Sequence, residues 1–188
     1  MNLARTIARL LAVALPLYFV WEMLQAPAFT GMPVGWVAAT AVCALATAGD
    51  GVIVLVVFAI CALAFRDARW FVPPRPGRYA TVVLLGVSIQ VAVEWVMVHR
   101  LGRWGYQPSQ PLVPLLDIGV LPFLQPVVLL PLTFWIFTRW EVRATVDSFL
   151  PTGSAYVDTV SRNGLHTMGR RCASRAMYAA AGQGGELT

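Results

Sequence analysis

Four long runs of apolar positions fill most of the first 137 residues, separated by short polar links. They cover residues 7–25, 38–65, 79–99 and 118–137. Runs of about 20 residues match the thickness of a bilayer core, because a helix rises about 1.5 Å per residue. The pattern predicts an all-α integral membrane four-helix bundle over residues 1–143, followed by a cytoplasmic tail over 144–188. The second run is too long for a simple crossing, at about 43 Å of helix against about 30 Å of hydrocarbon. It must tilt, protrude or break. Gly49-Asp50-Gly51 is its expected weak point, since glycine lowers helix propensity and frees backbone groups. In the fourth run Pro122, Pro126 and Pro131 predict a kink or an irregular start.

The first run has a second reading. Leu10–Val20 resembles a signal-peptide core, with Ala26-Pro27-Ala28 in the place of a cleavage site. The length of the run, its Trp21-Glu22 end and the crowding by Pro27 favour a retained transmembrane helix.

Charge separates the links. Residues 66–78 hold Arg66, Arg69, Arg75 and Arg78 with Asp67, whereas residues 26–36 hold no charge. Arg5 and Arg9 precede the first run, Arg139 and Arg143 follow the fourth, and only Arg100 and Arg103 fall on the other side. The excess of arginine marks the cytoplasmic side of a cell inner membrane, with both termini inside. The tail is rich in Ser, Gly, Ala and Arg, and its composition predicts disorder. A weak amphipathic segment over Leu165–Tyr178, with Arg170, Arg171 and Arg175, suits an anionic lipid surface.

Three of the four runs carry a carboxyl group: Glu22, Asp50 and Glu94. A charge at membrane depth costs roughly 2.5–3.5 kcal/mol, so it persists where it has a partner or a task. The predicted topology puts Glu22, Gln25, Asp50, Gln90, Glu94 and Gln125 in the outer half of the membrane or at its midplane. Helical spacing agrees. Tyr18, Glu22 and Gln25 share one face, Thr47, Asp50 and Val54 another, and Gly86, Gln90, Glu94 and Met97 a third. Gly86 permits close approach of a neighbouring helix. The third link is expected to form a lid, in which Trp104 and Tyr106 suit the interface and prolines stiffen the chain. Arg100 and Arg103 are the cations available to pair with Glu22, Glu94 or Asp117, or to hold an anionic headgroup.

Composition supports the membrane reading and excludes others. The chain is 58% apolar, 12% charged, and has a mean hydropathy of +0.67. All fourteen basic side chains are arginine, and their position at run ends speaks against nucleic acid despite a net charge of +5. Cys43 and Cys61 lie on one helix about 27 Å apart, too far to bridge, and no metal-binding cysteine spacing occurs. No phosphate-binding glycine fingerprint or nucleophile motif is present. No cofactor and no metal are expected; Glu22, Glu94 and His99 lack diagnostic ligand spacing.

Trp21-Glu22-Met23-Leu24-Gln25-Ala26-Pro27, Gly49-Asp50, Glu94-Trp95, Arg103-Trp104-Gly105-Tyr106, Pro111 to Pro114, and Gly119 with Pro122 and Leu124-Gln125 form a recognisable set. The set resembles a family of small bacterial four-helix membrane proteins with no assigned activity. The likeness covers roughly Tyr18 to Phe137. It implies a membrane location and weight on these positions, but no catalytic role. In architecture alone the chain is also similar to four-helix sterol isomerase and sigma-2-type proteins.

Three functional readings follow. In one, the acids form a protonatable site for a cation or solute, with a homodimer or partner subunit completing a thin bundle and Gly49-Asp50-Gly51 interrupting a helix. In another, the acids tie the bundle together or to a partner through Arg100, Arg103 and glutamines. In the alternative, a membrane enzyme uses Glu22 and Glu94 as acid and base on a lipid or isoprenoid, tuned by Asp50 or His99, with Trp21 and Trp95 stabilising a cation. The enzyme reading requires an apolar pocket open to lipid beside both glutamates.

Overall fold

The computed structural model describes residues 3–149. The described residues up to Val142 form one compact unit. The expected disordered tail and the amphipathic segment Leu165–Tyr178 lie outside the described residues. Residues 144–149 are an exception, since they continue the last helix rather than starting a tail.

The described chain is mostly helical. Four helices are long and apolar enough to cross a membrane: α1 (Leu3–Gln25), α2 (Trp36–Ala64), α3 (Pro76–Trp95) and α4 (Val120–Phe149). Helices are the expected answer for such sequences, because they satisfy every interior backbone group within the segment. Several hydroxyl side chains are absorbed in the same way. Thr81 donates to the Gly77 carbonyl, Ser88 to Leu84 and Thr47 to Cys43.

Three features differ from expectation. First, α2 runs unbroken for 29 residues through Gly49-Asp50-Gly51. No proline interrupts its hydrogen-bond ladder, and Gly51 serves packing instead: a Cβ there would stand 3.0 Å from Leu15 of α1. Second, α1 starts four residues before the expected boundary, at Leu3, and α4 extends twelve residues past residue 137 to Phe149. Apolar runs report only the part of a helix that meets hydrocarbon, not its polar ends. Third, α3 ends in a single π turn, Val96–Arg100, directly after Glu94-Trp95.

The prolines of α4 are accommodated in two ways. Pro122 falls in the first turn, where its missing N–H is not needed. Pro126 and Pro131 lie inside the helix. Pro126 faces α3 at Gly86, where an added Cβ would overlap Leu130 and approach Pro126 Cβ to 3.3 Å. Gly86 therefore marks the α3–α4 contact that its spacing predicts.

All four helices contribute to one apolar core. Leu10, Ala14 and Tyr18 come from α1, Val54, Val57, Phe58 and Cys61 from α2, Val82 from α3, and Leu129, Leu130, Phe134 and Phe137 from α4. The α2–α3 link adds Trp70 and Phe71, which are fully buried. Trp70 packs 4.8 Å from Phe134, and Phe71 packs 4.8 Å from Phe137. The link is anchored by hydrogen bonds from Trp70 Nε1 to the Phe58 carbonyl (3.3 Å) and from Thr138 Oγ1 to the Phe71 carbonyl (3.2 Å). Arg78 donates to the Trp70 carbonyl and pairs with Asp67 at 3.4 Å. The arginine-rich link is thus a polar rim over an aromatic plug.

At the opposite end of the helices, two short antiparallel ribbons close the bundle. β1 (Phe29–Thr30) pairs with β2 (Gly105–Tyr106), and β3 (Leu112–Val113) pairs with β4 (Ile118–Gly119). Isolated two-residue pairs are marginal. Here they are held by the Gln107 amide on the Ala28 carbonyl, the Val120 amide on the Pro111 carbonyl, and Phe29 packed 5.5 Å from Tyr106. Gly105 lets the first ribbon close, since a Cβ would stand 2.8 Å from Thr30 Oγ1.

Candidate functional site

The carboxyl-bearing segments meet at the ribbon-capped end. α1 brings Glu22 and Gln25 in its last turn, α2 brings Asp50, α3 brings Gln90 and Glu94, and α4 brings Gln125 in its second turn. Gln25, Asp50, Gln90, Glu94 and Gln125 are buried, while Glu22 is partly buried. The helical periodicity that groups these residues in the sequence therefore turns them inward.

Two sub-clusters share this end. In the first, Glu22 and Asp50 bring their carboxyls within hydrogen-bonding range of each other, with the Gln125 amide beside both. A bond between two carboxyl groups requires a proton on one of them, because a carboxylate can only accept. Gln25 Nε2 donates to Glu22 Oε1 at 2.7 Å, and Gln25 Oε1 accepts from Trp21 Nε1 at 3.0 Å. Gln25 Nε2 also stands 3.4 Å from Gln125 Oε1, linking α1 to α4. Two enclosed atoms remain without a hydrogen-bond partner: Asp50 Oδ2 and Gln125 Nε2. One is an acceptor and the other a donor, and buried polar atoms of this kind are rarely left unmatched.

In the second sub-cluster, Glu94 Oε2 accepts from Tyr106 Oη at 2.7 Å and from Trp104 Nε1 at 3.2 Å. The third link therefore folds back on the acid, as the lid reading expects. Gly119 lies tightly against this cap, where a Cβ would stand 2.8 Å from both Tyr106 and Gln110. Tyr106 lies outside the helices. Burial pushes its phenol pKa above the ordinary value, the Gly119 amide opposes that rise, and the neighbouring Glu94 adds to it.

The expected arginine pairing is not formed. Among the described residues the ion pairs are Arg9–Glu141 at 2.9 Å and Arg78–Asp67 at 3.4 Å, and neither involves the three acids. Arg100 instead stacks over Trp95, 5.0 Å from the ring centroid, and Arg103 is exposed. The π turn after Glu94 carries Arg100 onto the outer face of α3. Trp95 is itself 40% exposed and already covered by Arg100, so it does not face the acids as the carbocation reading requires. His99 is exposed and bonds to the Asp117 carbonyl at 3.0 Å. Among the described residues no group of three or more His, Cys, Asp or Glu side chains is placed to hold a metal ion. Cys43 and Cys61 are buried free thiols.

Sequence reasoning missed two buried elements. Gln110 is buried with Nε2 unmatched, and nothing in its Ser-Gln-Pro context signals this. Trp70-Phe71 carries a visible signal in retrospect, namely two large aromatics inside a short charged link.

No family, no curated protein and no solved structure matches the chain.

Proposed function

We propose that this chain is a multi-pass integral membrane protein of a bacterial inner membrane, with both termini cytoplasmic. We infer that its Glu22–Asp50–Gln125 cluster is a protonatable site for a small polar or cationic solute. Four apolar helices and the arginine asymmetry support the location and orientation. The likeness to small bacterial four-helix membrane proteins rests on residues that gather in this cluster and its cap.

One observation carries the site reading. Carboxyl groups from two helices, one buried and one partly buried, lie together beside the Gln125 amide, and no arginine among the described residues neutralises them. Glu94 differs, since its Oε2 is held by two donors from the third link. Glu94 is accordingly assigned the structural part, tying the third link to α3. An exchangeable proton between Glu22 and Asp50 would let binding of a cation or hydrogen-bonding solute be linked to proton release. The bundle is thin for a transporter, and exposed Val42, Leu45, Val52, Val56, Ile60 and Leu63 on α2 give a partner subunit or second copy an apolar face.

The enzyme alternative has less support. Glu94 Oε2 is occupied by the cap, and the groove formed by Pro74, Arg75, Pro76, Tyr79 and Trp135 touches neither glutamate.

Infrared difference spectra of the full chain in liposomes, taken between acidic and alkaline buffer, test the assignment. A protonated-carboxyl band that responds to pH is expected in the wild type and is expected to disappear in Asp50→Asn. An unchanged band in that variant, with unchanged proton uptake, would reject the site.

A further inference from the structure

A groove of about 240 Å3 lies at the other end of the bundle from the acids, where α3 begins. Its walls are Pro74, Pro76, Tyr79 and Trp135, and Arg75 stands on its edge. Trp135 of α4 is 48% exposed and carries the Arg139 guanidinium 5.2 Å from its ring centroid. Both arginines are exposed, and neither belongs to an ion pair among the described residues. Arg78, by contrast, is committed to Asp67, Trp70 and Phe65.

We propose that this groove binds one anionic phospholipid, with its phosphate between Arg75 and Arg139 and an acyl chain along Pro76, Tyr79 and Trp135. The shape supplies an apolar trough beside two cations, which matches a lipid with a charged head and a hydrocarbon chain. A zwitterionic lipid would bring its own cation against the arginines. Two further features favour an anion. The α3 N-terminus, opened by Pro76, contributes a partial positive charge at the same edge. The four-arginine link raises the local potential. The stacked Arg139 is held in place by Trp135, so little side-chain freedom is lost when the phosphate arrives. The occupant would pin the start of α3 to the middle of α4 and so stiffen the aromatic end from outside.

The test is native mass spectrometry of the full chain in detergent, with phosphatidylglycerol and phosphatidylcholine offered at equal concentration. The wild type is expected to retain one phosphatidylglycerol with a preference on the order of tenfold. Arg75→Gln with Arg139→Gln is expected to remove that preference. Arg100→Gln with Arg103→Gln, which loses the same charge at the other end, is expected to keep it. Equal loss in both double variants would reduce the effect to general electrostatics and overturn the site. A photoactivatable phosphatidylglycerol on the wild type tests the same claim without any variant. Labelling of the 74–79 and 135–139 peptides is expected, and labelling confined to other regions would overturn the proposal.

Discussion

The two ends of this bundle solve the same packing problem with opposite chemistry. At the arginine-rich end, Trp70 and Phe71 are driven between the helices and meet Phe58, Phe134 and Phe137. Trp70 Nε1 is matched there on the Phe58 carbonyl, and the enclosed atoms without a partner, Tyr79 Oη and Thr133 Oγ1, are uncharged hydroxyls. At the ribbon-capped end, the interior is filled by Gln25, Asp50, Glu94, Gln110 and Gln125, and Asp50 Oδ2, Gln110 Nε2 and Gln125 Nε2 have no partner. The difference separates stability from chemistry. Aromatic side chains gain many dispersion contacts with no desolvation cost, and dispersion is the main attraction left once lipid surrounds the helices. Buried carboxyls do the reverse, since they give up solvation and recover it only where each oxygen is matched.

If this division holds, the largest effect on folding should come from the aromatic end. Phe134→Ala opens a cavity among fully buried rings and is expected to cost about 3–5 kcal/mol. The measurement is thermal unfolding in detergent, and a shift of less than a third of that size would show that the plug is not the stabilising end. Next in size is Glu94→Ala, which strands the Trp104 and Tyr106 donors. It is expected to cost about 1–3 kcal/mol and to expose residues 101–117 to protease, while Glu94→Gln retains an acceptor and loses less. Asp50→Asn should alter stability by less than about 1 kcal/mol, because the amide keeps the shape and can satisfy its neighbours. The same variant should abolish the pH-dependent carboxyl band, and a large destabilisation with the band intact would reverse the roles assigned to the two ends.

A smaller effect concerns pH. The folded chain raises the Tyr106 phenol above its unfolded value near 10, chiefly by burial. A raised folded value means that this contribution is fully present below the unfolded value and is lost as pH rises beyond it. Stability of the cap should therefore fall in strongly alkaline buffer, and Tyr106→Phe should flatten that fall relative to wild type. Protease sensitivity of the third link against pH is the measurement. Smallest of all, Arg100→Gln with Arg103→Gln should change stability by no more than about 0.5 kcal/mol, since neither arginine meets a carboxylate. A larger loss would restore the salt-bridged reading of the acids.

The sequence made much of this legible. Apolar runs of bilayer length gave all four helices, and 3.6-residue spacing gave the buried faces of Asp50 and Glu94 and the partly buried one of Glu22. Both signals are local, set by the cost of an unsatisfied backbone or charge in hydrocarbon. The close approach at Gly86 was readable for the same reason, because a glycine on a polar face has a steric use. Two local inferences misled. Gly49-Asp50-Gly51 suggests a break, yet helix propensity is weak evidence once α1 packs against Gly51. Arg100 and Arg103 suggest partners for the acids, yet a π turn carries Arg100 onto Trp95.

What the sequence determined alone was which segments are helices, which faces of them are polar, and which end carries the arginines. Each follows from periodicity and solvation along one stretch of chain. Tertiary structure alone decided the pairings. It set Glu22 against Asp50 rather than Glu94, gave Glu94 to Trp104 and Tyr106, and drew Trp70 and Phe71 out of a charged link into the core. Those outcomes depend on the relative heights and rotations of helices far apart in sequence, and no local spacing encodes them.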